Sequence, residues 1–188
     1  MNKYELTDEE LISKFQKGDI GAYNQLVYRY KDRLLNFIYR YLNDINRSED
    51  LVQDTLLKLY THKDSYKQIA KFSTWIYTIA ANLARTELRK IKRRKTFSIT
   101  ELSYDDKEFI IKSKDDEPGD EIINEDLQKK VQSALHELPD DFKTIIILRD
   151  IQELSYEDIS RIIKLPLGTV KSRINRGRLK LQNLLKMK

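Results

Sequence analysis

Apolar residues recur along most of this chain with the spacing of amphipathic α-helices. The clearest stripe has intervals of four, four, three and four residues, and its members are Leu26, Tyr30, Leu34, Phe37 and Tyr41. Such a stripe forms one apolar helix face, which the pattern predicts over about residues 21–42. Thr7 followed by Glu10 is a capping-box pattern, so we expect a shorter helix before it, ending near Gly18. The five glycines and three prolines are few, which favours helices joined by short turns.

Two more helices complete the first part of the chain. The third is predicted to begin near Ser48, and its buried residues are Leu51, Thr55, Leu56 and Leu59. Residues 62–71 break the period and are interpreted as a loop. A long fourth helix is predicted over about residues 72–94, with a buried stripe of Ile76, Ile79, Ala80, Leu83 and the methylenes of Glu87.

The apolar period then fades in an acidic segment. Residues 105–126 carry ten acidic residues and three lysines, a net charge of −7. We interpret residues 96–125 as a flexible acidic linker between two small domains, residues 1–95 and 126–188. Because helices are predicted in both domains, the predicted fold class is all-α. The linker is either an inert solvated tether or a functional element, and the pattern leaves both open.

The second domain contains a helix-turn-helix pattern. Its first helix is predicted from Leu127, Val131, Ala134, Leu135 and Leu138, and Pro139 starts the next. Ser155 with Asp158 three residues later caps a short helix over residues 156–164. Residues 165–168 break that helix, and a last helix is predicted from about Thr169 to the C-terminus. Two helices joined by a tight turn, the second one basic, are typical of major-groove DNA binding.

The last helix separates apolar from polar side chains. At about 100° per residue, its buried stripe consists of Val170, Ile174, Gly177, Leu181 and Leu184. The candidate DNA-binding residues are Thr169, Lys171, Ser172, Arg173, Asn175 and Arg176, whose donors suit base edges and phosphates. Residues 161–188 hold nine Lys or Arg and no acid, which favours DNA binding over the alternative of a solvated basic face.

A second basic face is predicted on the fourth helix. Asn82, Arg85, Arg89 and Arg93 lie at i, i+3, i+7 and i+11, on a different side from the predicted core stripe. Residues 85–95 hold seven basic residues and one acid. Trp75 precedes this face, and aromatic rings near cations can stack on unpaired bases, although such rings more often belong to a core.

Composition narrows the function classes. The chain has 188 residues, a net charge of +5 and no cysteine, so disulfides, thiol nucleophiles and cysteine zinc sites are impossible. His62 and His136 lack zinc-motif spacing. No apolar run approaches the roughly 20 residues of a membrane span, and the N-terminus lacks a signal-peptide pattern, so we expect a cytoplasmic protein without membrane insertion. Asp50 and Asp54 share a helix face, which keeps a metal-dependent nuclease as one alternative.

Six segments resemble a known family in their order and spacing. They are residues 19–30 (DIGAYNQLVYRY), 49–54 (EDLVQD), 72–82 (FSTWIYTIAAN), 135–139 (LHELP), 154–159 (LSYEDI) and 167–173 (LGTVKSR). Together they closely resemble the extracytoplasmic-function (ECF) sigma factors, the smallest sigma subunits of bacterial RNA polymerase. The resemblance covers both predicted domains. It implies an alternative sigma factor that directs promoter-specific initiation, with no catalytic residue, cofactor, metal or small-molecule substrate of its own.

The resemblance also implies residue roles. Asp50 and Gln53 match the helix that contacts the clamp coiled coil of the largest polymerase subunit. The residues matching the segment that recognises and melts the minus-ten element are Lys71, Trp75, Asn82, Arg85, Arg89 and Arg93. Asn82 matches the position that recognises a flipped non-template base, and an amide can both donate to and accept from a base edge.

The resemblance implies further partners. The last helix would read the minus-thirty-five element as duplex DNA, and the acidic linker would mimic nucleic acid inside the polymerase. An anti-sigma factor is an expected partner, besides core polymerase and promoter DNA. The principal alternative is a helix-turn-helix regulator that acts alone, but it leaves the first 95 residues without a purpose.

Overall fold

A computed structural model describes residues 6–97 and 121–187, and within these ranges the regular structure is helical. The elements are α1 (Asp8–Gln16), α2 (Ile20–Leu42), α3 (Ile45–Thr61), a single 3₁₀ turn (Lys63–Ser65), α4 (Phe72–Phe97), α5 (Glu121–Glu137), α6 (Asp140–Ile146), a π-helical turn (Ile147–Ile151), α7 (Tyr156–Ile163) and α8 (Leu167–Lys186). The predicted all-α fold is therefore confirmed, including the helix-turn-helix formed by α7 and α8.

Side-chain caps explain where the first three helices begin. Thr7 and Glu10 form the predicted capping box of α1, and Asp19 accepts the Ala22 N–H at the start of α2. α3 begins three residues before the predicted Ser48, because the Asp44 carboxylate accepts a 3.0 Å hydrogen bond from the Arg47 N–H.

The core of the N-terminal domain forms around the predicted stripe of α2. All five members of that stripe are buried, and α1 adds Leu11, Ile12 and Phe15. The stripe predicted for α4 is only partly correct, since Ile79 and Leu83 are half-buried. The buried residues of α4 are Phe72, Thr74, Ile76, Tyr77, Ala80, Ala81, Ala84 and Leu88. This face is broader than one stripe because α4 packs against α7 as well as against α2 and α3.

In the C-terminal domain, α8 packs closely against α6 and also contacts α5 and α7. Gly177 allows this close approach, since a Cβ there would lie 3.0 Å from Ile146 Cγ1. α8 begins two residues before the predicted Thr169: Pro166 precedes the helix, and its carbonyl accepts the Val170 N–H at 3.0 Å. On α5, Ala134 and Leu135 are buried as predicted, whereas Leu127 is exposed.

The two domains pack directly against each other. Thr144 Oγ1 on α6 donates to the Tyr41 hydroxyl on α2 at 3.4 Å, and Lys92 on α4 pairs with Asp140 at 2.6 Å. α4 and α5 extend into both ends of the predicted 96–125 linker, and residues 98–120 lie outside the part of the chain that the structure describes.

Candidate nucleic-acid interface

The outer face of α8 presents four of the six residues predicted to read duplex DNA. Lys171, Ser172, Asn175 and Arg176 are exposed. Their orientation follows from the opposite side of the helix, where Val170, Ile174 and Gly177 are buried. The buried stripe thus leaves hydroxyl, amide and cationic donors pointing outward in consecutive turns, which is the arrangement that base-edge and phosphate contacts require.

The other two predicted residues of α8 lie closer to the domain body. Arg173 is half-buried, and its guanidinium lies 3.4 Å from Asp141 on α6. Thr169 is also half-buried, and its backbone carbonyl accepts the Ser172 hydroxyl at 3.0 Å. Because Asp141 is largely exposed, solvent screens its pair with Arg173 and the guanidinium is only weakly held.

Two features fix α8 relative to the preceding elements. Lys164 adopts a left-handed conformation, with φ of 56°, and ends α7 so that the chain can turn. Arg178 makes a two-pronged ion pair with Asp150 on the π-helical turn, and this carboxylate raises the pKa of the guanidinium. The turn at Lys164 and the ion pair of Arg178 therefore hold α8 in place, with its polar face directed outward.

The second basic face lies along α4. Asn82, Arg89 and Arg93 are exposed on one side of this helix, as predicted. Arg85 belongs to the same row but is half-buried and interacts with the Tyr41 hydroxyl. Burial raises the pKa of Tyr41, and Arg85 partly opposes that rise. Arg85 is therefore partly enclosed beside Tyr41, whose hydroxyl also contacts Thr144 of the C-terminal domain.

The N-terminal end of α4 carries the remaining two predicted minus-ten residues. Trp75 is half-buried and packs against the rings of Tyr66 and Phe72, at centroid distances of 5.5 and 6.1 Å. The Lys71 ammonium lies 3.6 Å from the Asp158 carboxylate of α7, so the C-terminal domain contacts this residue.

Asp158 is the polar centre of the contact between the domains. Its side chain is 5% exposed, and it accepts hydrogen bonds from Thr74 at 2.9 Å and from Ser155 at 2.6 Å. Burial opposes its ionisation, but these hydroxyls and Lys71 outweigh that effect and hold the pKa of Asp158 below its usual value. Ser155 and Asp158 were predicted only as a helix cap, because their long-range partners leave no local signal in the sequence.

A separate surface lies on α3. Asp50 and Gln53 are exposed one turn apart, as predicted. Leu57 continues the same face one turn further and is 59% exposed, and Tyr60 is 45% exposed. Sequence reasoning missed these two residues, although the run Leu56-Leu57 contains more apolar positions than one buried stripe can use. An exposed apolar pair beside a carboxylate and an amide is typical of a protein interface.

The same ranges offer neither a metal-ligand cluster nor a membrane span. Among the described residues, no group of three His, Cys, Asp or Glu side chains could hold a metal ion. In those ranges, too, no helix combines the length and apolarity that crossing a membrane requires.

Known protein families match both helical domains of the chain. The Sigma-70 region 2 family matches residues 26–94, and the Sigma-70 region 4 family matches residues 128–181. The chain is 38% identical over 184 residues to the ECF RNA polymerase sigma-E factor of Haemophilus influenzae, which covers 95% of both chains. It is 33% identical to the ECF RNA polymerase sigma factor SigW of Bacillus subtilis, over 97% of this chain and 98% of that protein. The chain belongs to the ECF sigma factors.

Solved structures agree with this assignment. The sigma factor RpoE of Bartonella quintana, in complex with the anti-sigma factor NepR, matches with a TM-score of 0.70 and 29% identity, over 87% of this chain and 96% of that chain. CnrH, solved in complex with the cytosolic domain of CnrY, shares the fold with a TM-score of 0.70 at 22% identity, over 96% of this chain and 97% of that chain. The protein is thus an alternative sigma factor that directs promoter-specific transcription, and sigma factors are non-catalytic initiation factors. One basic face lies within each matched region.

Proposed function

We propose that the sigma factor divides promoter recognition between its two basic faces. Residues 126–188 read the minus-thirty-five element as duplex DNA through α8, and residues 1–95 bind core polymerase and open the minus-ten element through α4. The observation that carries this proposal is that each matched sigma region presents its own exposed row of amide and cationic donors, on α8 and on α4.

On α8, the polar side chains share the work of recognition. Arg176 and Asn175 are exposed and have the planar donor groups that read guanine and adenine edges. Lys171 and Ser172 lie nearer the start of the helix and suit phosphate or base contacts. Arg173 and Thr169 support this surface from its inner edge, and Arg173 leaves its screened pair with Asp141 when a phosphate replaces the carboxylate.

On α4, Asn82 captures an extruded base while cations hold the backbone beside it. Arg89 and Arg93 are exposed on the same side of the helix as Asn82, so phosphates that follow this face meet two guanidinium groups. Trp75 lies on the aromatic platform with Tyr66 and Phe72 and provides a ring against which an unpaired base can stack. Lys71 and Arg85 join this surface when the C-terminal domain moves away.

The surface on α3 contacts core polymerase. Asp50 and Gln53 offer a carboxylate and an amide to the clamp coiled coil, and Leu57 and Tyr60 add apolar area to the same face. A surface of this composition, with a few polar groups around apolar residues, suits a protein partner better than DNA.

The two domains separate before both promoter elements are bound. The elements lie about 25 base pairs apart, which is about 85 Å along B-DNA at about 3.4 Å per base pair. In the structure, by contrast, α7 packs on α4, and Asp158 contacts Lys71 and Thr74. The packed arrangement is therefore the state of the sigma factor before it engages promoter DNA.

The sigma factor has an inhibitory protein partner and a defined place of action. An anti-sigma factor holds the protein until it is needed, as the Bartonella quintana homologue is bound by one. The sigma factor acts in the cytoplasm, where bacterial RNA polymerase works, and has no enzymatic activity of its own. The nuclease alternative gains no support, since no group of three or more His, Cys, Asp or Glu side chains that could hold a metal ion includes Asp50 or Asp54 among the described residues.

Run-off transcription tests the proposed function directly. Core polymerase and the purified protein are incubated with fragmented genomic DNA, and the start sites are mapped. We expect starts preceded by two shared motifs at the minus-ten and minus-thirty-five positions, and no starts with core polymerase alone. DNA binding by the protein without any core-dependent transcription would instead support a regulator that acts alone.

A further inference from the structure

The loop between α3 and α4, residues 62–71, is attached to the N-terminal helix at both of its ends. Near its start, the side-chain amide of Gln16 donates to the backbone carbonyls of Lys63 at 2.8 Å and Tyr66 at 3.0 Å. At its end, the carboxylate of Glu9 accepts the N–H of Phe72, the first residue of α4, at 2.8 Å. These bonds join residues 47 to 63 positions apart, so they are tertiary contacts rather than local turns.

A return contact from the loop strengthens its attachment to α1. The Lys63 ammonium donates to the Phe15 carbonyl at 3.0 Å and lies 4.7 Å from the centre of the Phe15 ring. A cation at the carbonyl end of a helix interacts favourably with the unpaired carbonyls and the helix dipole. The Gln16 side chain of α1 thus donates to the loop, and the Lys63 side chain of the loop donates back to α1.

α1 is itself held rigidly against α2. Asp8 pairs with Arg29 at 2.6 Å and accepts the Tyr30 hydroxyl at 2.6 Å. Leu11, Ile12 and Phe15 are fully buried. Glu9 and Gln16 are seven residues apart, about 10 Å along a helix. α1 therefore acts as a rigid spacer that sets the distance between the start of the loop and the start of α4.

The loop forms one side of the aromatic platform at the start of α4. Tyr66 is buried, packs against Trp75 and donates its hydroxyl to the Ala70 carbonyl at 2.9 Å. Shifting the backbone at Lys63 and Tyr66 would therefore move the ring that supports Trp75. The residues proposed to contact DNA all lie outside α1, and α1 precedes the matched region 2, which begins at residue 26.

We propose that α1 holds the loop of residues 62–71 in the position in which Tyr66 supports Trp75, and that it thereby sets the preference for the extruded base, with Gln16 and Glu9 as positioning residues. This inference rests on the proposed role of α4 in opening the minus-ten element, in which an unpaired base stacks against Trp75. Gln16 supplies side-chain donors to two loop carbonyls, and Glu9 caps α4 from outside its own segment. The base preference of the sigma factor therefore depends on a helix that does not touch the base.

Three variants test the role of Gln16. Gln16→Met keeps the length of the side chain and the charge but removes both donors. Gln16→Lys restores donors, since an ammonium has three and no acceptor. Gln25→Met is the matched control, because Gln25 is exposed on α2 and lies outside the attached loop. The Asn82→Ala variant serves as the reference for lost base capture.

Each holoenzyme is allowed to select from a single-stranded DNA library with a randomised central block, and the bound strands are sequenced. Gln16→Met should lower the strongest base preference by about threefold to tenfold, the effect of about one net hydrogen bond. Gln16→Lys should restore the preference, and Gln25→Met should match the wild type. Binding to core polymerase should not change in any of these variants.

Two outcomes of the selection and core-binding measurements would overturn the inference. One is an unchanged base preference in Gln16→Met, and the other is a loss of core binding in parallel with base selection, which would indicate a general folding defect. Amide hydrogen exchange separates this inference from the proposed function: exchange over residues 62–71 should accelerate in Gln16→Met whether or not the loop binds DNA. A wild-type protein without any base preference would overturn the proposed function, whereas unaltered loop exchange would overturn the attachment itself.

Discussion

Thr74 on α4 donates a 2.9 Å hydrogen bond to Asp158 on α7, across 84 positions of sequence and inside a buried contact between the two domains. Next to it, the Tyr77 hydroxyl donates to the Gln152 side chain. Polar contacts of this kind are specific, but they are exchanged for water at little net cost when an interface opens. These polar contacts therefore suit a domain interface that can open and close. We call the packed arrangement of the two domains the closed state of the sigma factor.

Replacing Asp158 with Asn should loosen this closed state. The amide retains an oxygen that can accept from Thr74, but the charge that attracts Lys71 is lost. We expect a larger mean separation of the domains, measured by energy transfer between dyes on α2 and α8. Glu157→Gln is the matched control, since it removes the same charge from an exposed position on α7. Equal separations in both variants would show that Asp158 does not hold the domains together.

Lowering the pH should also increase the separation of the two domains in the wild-type protein. The pKa of Asp158 lies below its ordinary value of 3.8, so its ionised form stabilises the closed state above about that pH. This stabilisation is lost as the pH falls through the lowered pKa. The separation of the domains should therefore increase less on acidification in Asp158→Asn than in the wild type.

Arg176→Ala tests the reading face of α8. Losing an exposed guanidinium that reads a base edge should cost about 1–3 kcal/mol and relax specificity at one or two upstream bases. Competition binding with singly substituted minus-thirty-five duplexes measures this change. Gln182→Ala, at an exposed position further towards the end of α8, should leave the specificity unaltered. A uniform loss on every duplex would reassign Arg176 to the phosphate backbone.

Replacing Asp50 and Gln53 together with alanine should weaken binding to core polymerase by about tenfold or more, as the loss of two interface groups implies. The Kd for core polymerase is measured by fluorescence anisotropy. Folding of α7 and α8 should be intact, because both residues are exposed on α3. Asp32→Ala, on the exposed side of α2, is the control, and an unchanged Kd in the double variant would remove α3 from the polymerase interface.

Two glycines of α8 should respond in opposite ways to alanine. A Cβ at Gly177 would lie 3.0 Å from Ile146 Cγ1, and Ile146 is buried and has little room to move. Gly177→Ala should therefore destabilise the protein by about 1–2 kcal/mol. At Gly168, a Cβ would meet no atom within 4 Å, and Gly168→Ala should stabilise α8 by about 0.5–1 kcal/mol. Urea denaturation measures both, and equal shifts would refute the packing argument.

Local patterns were enough to predict the helices and the outward faces of α4 and α8, because burial on one side of a helix fixes the other side. They failed where a distant partner decides the environment. Arg85 interacts with Tyr41, and Arg173 pairs with Asp141. The helical period alone predicts that both arginines lie on an exposed face. The roles of Asp158 and Gln16 depend on partners at least 47 positions away, and no periodicity encodes such contacts.

We propose that Asn82 on α4 opens the DNA, whereas α8 only positions the polymerase. Permanganate reactivity of unpaired thymines, measured beside total promoter binding in the same samples, separates these two steps. For Asn82→Ala we expect binding close to that of the wild type and a minus-ten element that stays unreactive. An equal loss of binding and reactivity, or full reactivity in the variant, would contradict the claim.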